Sequence, residues 1–278
     1  MYRIAEGLLE VKKILCYTCI KIKNESEIMR LNKYLSDIGY CSRREADRLI
    51  EAGKVYVDGV QAGLGVQVEE GQEVRVGKKV LTKTDRPVLL ALHKPRGIEC
   101  TASKAVKNNI VDFVNYPCRV YPVGRLDKES EGLILMTNQG DLVNKMMRSG
   151  NRHEKEYLVS VDKPINEAFL KGMAAPVYLK ELDVTTRPCQ LEQTGKCSFR
   201  IVLTQGYNRQ IRRMCEAFGY KVTKLKRIRI MNIHLNDLKM GTYREVTPKE
   251  MKELLELIKD SSSETVRDVH ESKISKNQ

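Results

Sequence analysis

The stretch VGRLDKESEGLILMTNQGDL, residues 123–142, places one carboxylate, Asp127, between Arg125 and Lys128. Asp127 follows a short apolar run, and Gly132 lets the chain bend into the apolar strand LILMTN. A carboxylate in a loop between two strands is exposed enough to meet a substrate and rigid enough to be aimed at it. The alternative, which this stretch alone favours, is an aspartate paired with Arg125 or Lys128 in a surface turn.

The charge of the whole chain bears on that choice. Lys and Arg total 49 of the 278 residues against 36 Asp and Glu, which gives a net charge of +13. Such a chain favours a polyanionic partner, and nucleic acid is the leading candidate. A basic membrane-surface protein is the competing class, but the chain has no tryptophan and no lipidation motif, and its positive charge is spread over several segments.

The sequence contains neither a targeting signal nor a metal-binding pattern. No apolar run approaches the roughly 18 residues that span a bilayer, and charges interrupt the N-terminal segment too often for a secretory signal. We therefore expect a cytoplasmic protein with no membrane partner and reduced cysteines. Cys16 and Cys19 form a C-x-x-C pair, but no second pair and no paired histidines follow at zinc-ligand spacing. No metal site is expected, and none of the histidines is assigned a catalytic role.

The segment RLNKYLSDIGYCSRREADRLIEAGKVYVDG, residues 30–59, predicts two short helices followed by a hairpin. In the second helix the apolar residues lean to one side and leave Arg43, Arg44 and Arg48 on the other. This basic face either binds an anionic partner or is an ordinary solvated helix surface.

Strand-like runs recur after residue 86, with helical segments between them. Because several strands follow one another without a helical crossover, we expect an α+β fold whose sheet is mixed, largely antiparallel and flanked by helices. The helices are predicted near residues 108–114, 141–148, 166–173, 208–218 and 248–258. The expected organisation is an extension (1–28), a small N-terminal domain of helices and a small sheet (29–77), a charged linker (78–86), a larger domain (87–258) and a disordered tail (259–278).

A second candidate functional stretch is TQGYNRQIRRMCEAFGY, residues 204–220. Its apolar spacing predicts a helix that buries one face. That face comprises Ile211, Met214, Cys215 and Phe218. The pattern places Arg209, Arg212 and Arg213 on other faces, near the helix N-terminus, where they would attract phosphate or hold a carboxylate. For Arg213, a solvated basic surface is the alternative.

These stretches together resemble a known group of enzymes. RLNKYL and CSRREAD resemble the S4 module, in which two helices and a small sheet present basic residues to structured RNA. GRLDKESEGL, EKEYLV and LTQGYNRQIRRM resemble, in that order, the motifs of the pseudouridine synthases of the bacterial S4-containing ribosomal RNA group. The likeness extends over residues 29–258.

The resemblance implies roles for five residues. Asp127 is expected as the catalytic aspartate, Arg212 as the cation that pairs with it, and Tyr157 as the aromatic residue that lies against the target base. Leu203 would pack in the pocket, and Arg125 would fill the space left by the extracted uridine. The alternative for Tyr157 is an edge-strand tyrosine that only covers the sheet.

The implied reaction is the isomerisation of uridine to pseudouridine, with the target base flipped out of its stack. It needs no metal and no cofactor. The carboxylate either attacks C1′ of the ribose or assists a route through a glycal. Further contacts with RNA are expected from Arg209 and from the basic face of Arg43, Arg44 and Arg48.

The continuation NRQIRRMCEAFGYKVTKLKRIRIMNIHL, residues 208–235, resembles the F-type subgroup, which acts on large-subunit rRNA. The small-subunit type has a tyrosine-histidine pair where this chain has Asn208 and Arg209. We therefore expect an enzyme that modifies 23S rRNA. We also expect it to be a monomer. The alternatives are the same reaction on small-subunit rRNA or a tRNA, and a non-enzymatic RNA-binding or ribosome-assembly protein.

Overall fold

The computed structural model describes residues 28–82 and 86–261, which belong to two compact units. The first unit runs up to Pro87 and includes Pro117–Arg119, and the second comprises the rest. The C-x-x-C pair lies outside the described residues. The same holds for the expected N-terminal extension except residue 28, and for the expected tail except residues 259–261. Within the described ranges, no helix is long and apolar enough to cross a membrane.

The first unit consists of two helices and two small antiparallel sheets, as the sequence predicts. A four-stranded sheet has the order β3-β2-β5-β6, and β1 pairs with β4. The elements are β1 (Met29–Arg30), α1 (Leu31–Asp37), α2 (Arg43–Glu51), β2 (Val55–Val57), β3 (Val60–Gln61), β4 (Gln67–Val68), β5 (Val74–Val76) and β6 (Lys79–Leu81).

Helix α2 separates apolar from basic residues as expected. Ala46 and Ile50 are buried in the core of this unit, whereas Arg43, Arg44 and Arg48 are exposed. The helix begins after Ser42, whose hydroxyl accepts a hydrogen bond from the amide of Glu45 at 3.2 Å. This cap satisfies one of the free amides of the first turn.

The boundary of the expected linker needs a correction. Residues 78–86 were expected to connect the domains, but Lys79–Leu81 form β6 and pair with β5. Gly77 has φ of +58° and closes the tight turn between the two strands. Leu81 is buried in the first core. The first sheet therefore continues beyond residue 77.

The second unit is built on a nine-stranded sheet with the order β13-β14-β10-β15-β9-β7-β17; β8 pairs with β9, and β16 with β15. The pairing of β9 with β15 is parallel, and the other pairs are antiparallel, which confirms the predicted fold class. The strands are β7 (Leu89–Lys94), β8 (Tyr121–Val123), β9 (Glu131–Thr137), β10 (Lys155–Val161), β13 (Gln190–Gly195), β14 (Ser198–Leu203), β15 (Val222–Ile230), β16 (Ile233–His234) and β17 (Tyr243–Glu245).

Helices flank this sheet near the predicted positions, and a separate two-stranded ribbon completes the unit. The helices are α3 (Ile110–Val114), α4 (Gly140–Met147), α5 (Glu167–Ala174), α6 (Gln210–Ala217) and α7 (Pro248–Leu257), and the ribbon is β11 (Tyr178–Leu179) with β12 (Val184–Thr185). The sequence pattern did not reveal the ribbon or β13 and β17. Strand β13 is almost entirely exposed, so it carries no apolar alternation.

Two apolar clusters lie on this sheet and define where the site forms. One joins β10 and β14 to α5 and α6, and the other joins β7 and β9 to α4 and α7. The loop after β8 connects them, because Val123 belongs to the second cluster and Leu126 to the first. Asp127 therefore follows a residue that is anchored in a core.

Candidate active site

The backbone of the Asp127 loop is held by its surroundings. The amide of Ser130 donates to the carbonyl of Asp127 at 3.0 Å, which closes a tight turn. Cys100 contacts both backbone groups of Leu126, since its thiol donates to the carbonyl at 3.2 Å and its sulfur accepts from the amide at 3.4 Å. Burial is the main reason that the pKa of Cys100 is raised. The thiol therefore stays protonated and keeps its donor.

Lys94 supports the same loop from the strand β7. Its side chain is fully buried, and its ammonium donates to the carbonyls of Pro95 and Ile98 at 2.9 Å each and to that of Lys128 at 3.5 Å. Burial lowers the pKa of Lys94, although a nearby Asp127 opposes that effect. The sequence analysis did not find Lys94, because its strand is apolar apart from that residue and its neighbour His93.

The structure brings Asp127 and Arg212 together, as the resemblance implies. The Nε atom of Arg212 lies 3.8 Å from Oδ2 of Asp127. This distance is an ion pair and is too long for a hydrogen bond. The guanidinium also donates to the hydroxyl of Ser130 at 3.1 Å and to the carbonyl of Val222 at 3.4 Å. Helix α6 is therefore tied to the loop at two positions.

Arg212 is more buried than the sequence pattern predicts. It is only 8% exposed, and its Nε has no hydrogen-bond partner among the described residues. Phe218, predicted on the buried face, is 37% exposed at the end of α6, where its ring packs edge-on against Phe169. The assignment of Phe218 was wrong because the helix ends at Ala217. Arg212 is buried because the Asp127 loop and β15 cover its side of α6, which a helical period cannot reveal.

Burial lowers the pKa of Arg212, and the neighbouring Arg209 lowers it further. The carboxylates of Asp127 and Glu129 act in the opposite direction. A guanidinium stays charged in proteins. Arg212 therefore keeps a positive charge beside the carboxylate of Asp127.

The cations next to Asp127 in sequence are not its partners. Lys128 pairs with Glu99 at 2.8 Å, and Arg125 is exposed. A local ion pair within the turn, which the stretch alone favoured, is therefore not what the structure contains. A third link joins the loop to α6, since Arg209 pairs with Glu129 at 2.7 Å. The hydrogen bond from Arg209 is the main reason that the pKa of Glu129 is lowered.

Arg213 is also paired, which corrects the alternative of a solvated basic surface. Its guanidinium forms an ion pair with Glu181, and its Nε donates to the carbonyl of Asn208 at 3.1 Å. The side chain is mostly covered. We therefore exclude Arg213 from the residues that are free to meet a substrate.

Tyr157 lies in the interior of the sheet. Strand β10 pairs with β14 on one side and β15 on the other, so the alternative of an edge-strand tyrosine is wrong. Tyr157 is buried in the same apolar cluster as Leu203 and Leu126. The aromatic ring and Leu126, the residue before Asp127, therefore belong to one core.

The strand that carries Tyr157 also carries a buried cation, Lys155. It is 8% exposed and donates to the carbonyl of His153 at 3.2 Å. Burial, with a smaller effect of Arg227, lowers the pKa of Lys155 to about 8. Lys155 and Tyr157 are two residues apart on one strand, so their side chains lie on the same face of the sheet. This spacing was a signal in the sequence for the burial of Lys155.

We predict a pH-dependent stability difference between the wild type and Lys155→Met. Below pH 8 Lys155 is charged in both the folded and the unfolded protein. As the pH rises above 8, Lys155 loses its proton in the folded protein while it is still protonated in the unfolded protein. Relative to the variant, the wild type should gain about 1.4 kcal/mol of unfolding free energy per pH unit above pH 8. Urea denaturation from pH 7 to pH 10 measures this gain. A constant difference would contradict it, and Lys171→Met, at an exposed position, is the control.

No group of three or more His, Cys, Asp and Glu in the described ranges is arranged to hold a metal ion. The arrangement is instead one carboxylate, one buried guanidinium and one tyrosine on a rigid sheet. Arg125, which is exposed, lies two residues before the carboxylate in the sequence. Other exposed arginines lie on α2 of the first unit. A carboxylate and a cation of this kind can act on a sugar centre of an anionic polymer.

Comparison with known proteins identifies the class. The family model described as RNA pseudouridylate synthase matches residues 88–217, and the S4 domain model matches residues 29–74. With the relatives described next, these matches show that the chain belongs to the RNA pseudouridine synthase family and carries an S4 domain. The predicted family and fold are confirmed.

Within that family the chain is 53% identical over 237 residues to the dual-specificity RNA pseudouridine synthase RluF of Salmonella typhi, which covers 84% of this chain and 81% of the relative. It is 36% identical over 233 residues to the ribosomal large subunit pseudouridine synthase B of Bacillus subtilis (strain 168), covering 81% and 95%. A crystal structure of a pseudouridylate synthase matches with a TM-score of 0.61 at 28% identity, over 81% of this chain and 99% of that one. The predicted likeness to the F-type subgroup is confirmed.

Proposed function

We propose that this enzyme converts a specific uridine of large-subunit rRNA to pseudouridine, with Asp127 as the reacting carboxylate. The observation that carries the proposal is the ion pair of Asp127 with the buried Arg212, next to the apolar cluster that contains Tyr157. An aspartate that only neutralised its neighbours would pair with Arg125 or Lys128. Here it is held by a guanidinium from a distant helix.

The chemistry requires only these groups. The bond between N1 of uracil and C1′ of ribose breaks, and a bond between C5 and C1′ forms. The proton lost from C5 balances the one gained at N1, so no oxidant, reductant, metal or cofactor enters the reaction. Asp127 either traps C1′ or accepts a proton from the ribose, and the ion pair with Arg212 holds the carboxylate in place in both routes.

The target base must leave its stack, which costs a few kcal/mol in folded RNA. We infer that contact with Tyr157 and with the apolar residues around it, including Leu203, offsets part of this cost. Both side chains are largely covered, so the base would meet only the small part of each that is exposed. Arg125 is exposed beside the carboxylate and is suited to occupy the space that the uridine vacates.

Two sets of arginines are suited to hold the RNA backbone. Arg43, Arg44 and Arg48 are exposed on one face of α2, and Arg209 is partly exposed at the start of α6. Arg48 also pairs with Glu45 at 3.0 Å, so its charge is partly compensated. We propose that the first unit serves mainly to bind RNA and that the second unit performs the reaction. Binding by these arginines should weaken as salt rises, because phosphate contacts release counterions.

The target is tested by mapping pseudouridine in total RNA from cells with and without this gene. We expect one or more sites in large-subunit rRNA to disappear. A second target in tRNA would give this enzyme two specificities, and the Salmonella typhi relative is named a dual-specificity RNA pseudouridine synthase. Unchanged pseudouridine in every RNA, together with salt-sensitive RNA binding, would support the non-enzymatic alternative.

We predict that Glu129→Gln strengthens RNA binding. Glu129 holds Arg209 at 2.7 Å, so RNA phosphate must compete with this carboxylate. An exposed ion pair contributes about 0.2–1 kcal/mol, so the dissociation constant should fall by a factor of up to about five. Fluorescence titration of an rRNA fragment measures the change. The control is Glu167→Gln, which removes the same charge from a pair with Lys171 on α5. Equal effects of both variants would show that only net charge matters.

A further inference from the structure

Arg227 is a buried cation that the proposed reaction does not use. It lies on β15 and is only 2% exposed, and it is one of the largest fully buried side chains among the described residues. Burying a charge costs several kcal/mol unless hydrogen bonds or an opposite charge compensate it. A core position of this kind is normally apolar. The partners of Arg227 therefore indicate why a guanidinium stands there.

Those partners are backbone carbonyls on both sides of Asp127. The Nε atom of Arg227 donates to the carbonyl of Leu133 at 2.6 Å, in the strand that follows the loop. Its Nη1 atom donates to the carbonyl of Arg125 at 3.4 Å, two residues before Asp127. One rigid, planar group therefore bridges the entry and the exit of the loop that presents the carboxylate.

The main chain of Arg227 is fixed as closely as its side chain. It pairs with Gly132 in the parallel register of β9 and β15. A Cβ atom on Gly132 would overlap the carbonyl oxygen of Arg227 and lie 2.6 Å from its amide nitrogen. The absence of a side chain at Gly132 is what allows this approach, so Arg227 has little freedom relative to the loop.

Arg227 also faces Tyr157. The two residues are directly opposite each other in the antiparallel pair of β10 and β15, so their side chains project from the same side of the sheet. The remaining donor, Nη2, is buried and has no hydrogen-bond partner among the described residues. The guanidinium thus stands between the strand of Tyr157 and the Asp127 loop.

We propose that Arg227 is a positioning residue for this reaction: its fork fixes the carbonyls of Arg125 and Leu133 and so sets the placement of Asp127 relative to Tyr157. The inference rests on the proposed role of Asp127. Arg227 contacts no reacting atom, and its effect is transmitted through the backbone. A misplacement of about 1 Å of a catalytic group can lower a rate by about 10²-fold, so small changes in the fork should be visible in catalysis.

The test compares Arg227→Lys with Arg227→Met. Lysine keeps the charge but replaces the planar fork with one ammonium on a flexible stem. We expect kcat for pseudouridine formation in an rRNA fragment to fall about 10- to 100-fold in Arg227→Lys and further in Arg227→Met. The dissociation constant for the RNA should stay within about twofold of the wild type, because a buried residue makes no phosphate contact.

A matched control separates positioning from loss of stability. Leu254→Ala opens the second apolar cluster on α7 and leaves the hydrogen bonds of the Asp127 loop untouched. All variants are assayed at a temperature where circular dichroism shows each of them folded. If Arg227→Met does not fold, the test relies on Arg227→Lys, because lysine keeps the charge and the approximate length of the side chain.

Three outcomes decide the proposal. A fall in kcat for Arg227→Lys without a matching fall for Leu254→Ala supports it. A wild-type kcat in Arg227→Lys, or an equal fall in Leu254→Ala, overturns it. Asp127→Asn is assayed in parallel: if that variant is inactive while Arg227→Lys has full activity, the role of Arg227 fails and the proposed function stands.

Discussion

Asp127→Asn should abolish pseudouridine formation while leaving the fold in place. Asparagine keeps the shape of the side chain but cannot carry the negative charge that the proposed reaction requires at the sugar centre. We expect kcat to fall by about a thousandfold or more, as for other groups that react directly with substrate. Single-turnover conversion of an rRNA fragment, followed by chemical detection of pseudouridine, measures the loss.

The fold should survive because the side chain of Asp127 is 28% exposed and lies in a loop. Arg212 keeps its hydrogen bonds to Ser130 and Val222 in the variant, so it is not left without partners. RNA affinity should be unchanged or slightly higher, since one negative charge is removed. The control is Asp237→Asn, an exposed aspartate of the same unit. Activity in Asp127→Asn within a few-fold of this control would refute the catalytic assignment.

Gly132→Ala should cause a large loss of stability in the second unit. Gly132 has φ of +111°, which residues with a side chain rarely adopt. The added methyl group would also meet the backbone of Arg227, which cannot move aside as a flexible side chain would. Strain and overpacking together should lower the unfolding free energy by about 3–5 kcal/mol. Domains have only about 5–15 kcal/mol in total.

A second glycine separates the two causes. Gly97 has φ of +89°, but a Cβ atom there would meet nothing within 4 Å. Gly97→Ala should therefore carry the conformational cost alone, about 1–2 kcal/mol. Urea denaturation of both variants gives the comparison. Equal losses would show that close contact between β9 and β15 contributes nothing, and would also weaken the argument that Arg227 is fixed relative to the loop.

Much of the fold follows from local patterns. The apolar spacing of Ile211, Met214 and Cys215 predicted helix α6 and its buried side correctly. Ala46 and Ile50 did the same for α2. Helix α7 was predicted near residues 248–258, and it begins at Pro248 after a full capping box between Thr247 and Glu250. These features depend on neighbours within one or two turns, so a sequence window contains all the information that they need.

The features that were missed involve groups brought together from distant segments. Helical period placed Arg212 away from the core, yet the loop and β15 cover it. Lys94 and Arg227 are charged residues in strands, and a charge count assigns such residues to the surface. Backbone carbonyls compensate both buried charges: those of Pro95 and Ile98 accept from Lys94, and that of Leu133 accepts from Arg227. Those carbonyls are invisible in a pattern of side-chain types.

The sequence by itself determined the class of protein and the order of most of its elements, and it proposed the residues with the chemistry of the site. Its motifs occur in order and are defined by residue type and spacing. Both can be read without the folded structure. Only the tertiary structure decided which charges meet: Asp127 with Arg212, Lys128 with Glu99, and Arg209 with Glu129. Ion pairs depend on distances of a few ångströms between atoms far apart in the chain, and those distances are set by the packing of the sheet and α6.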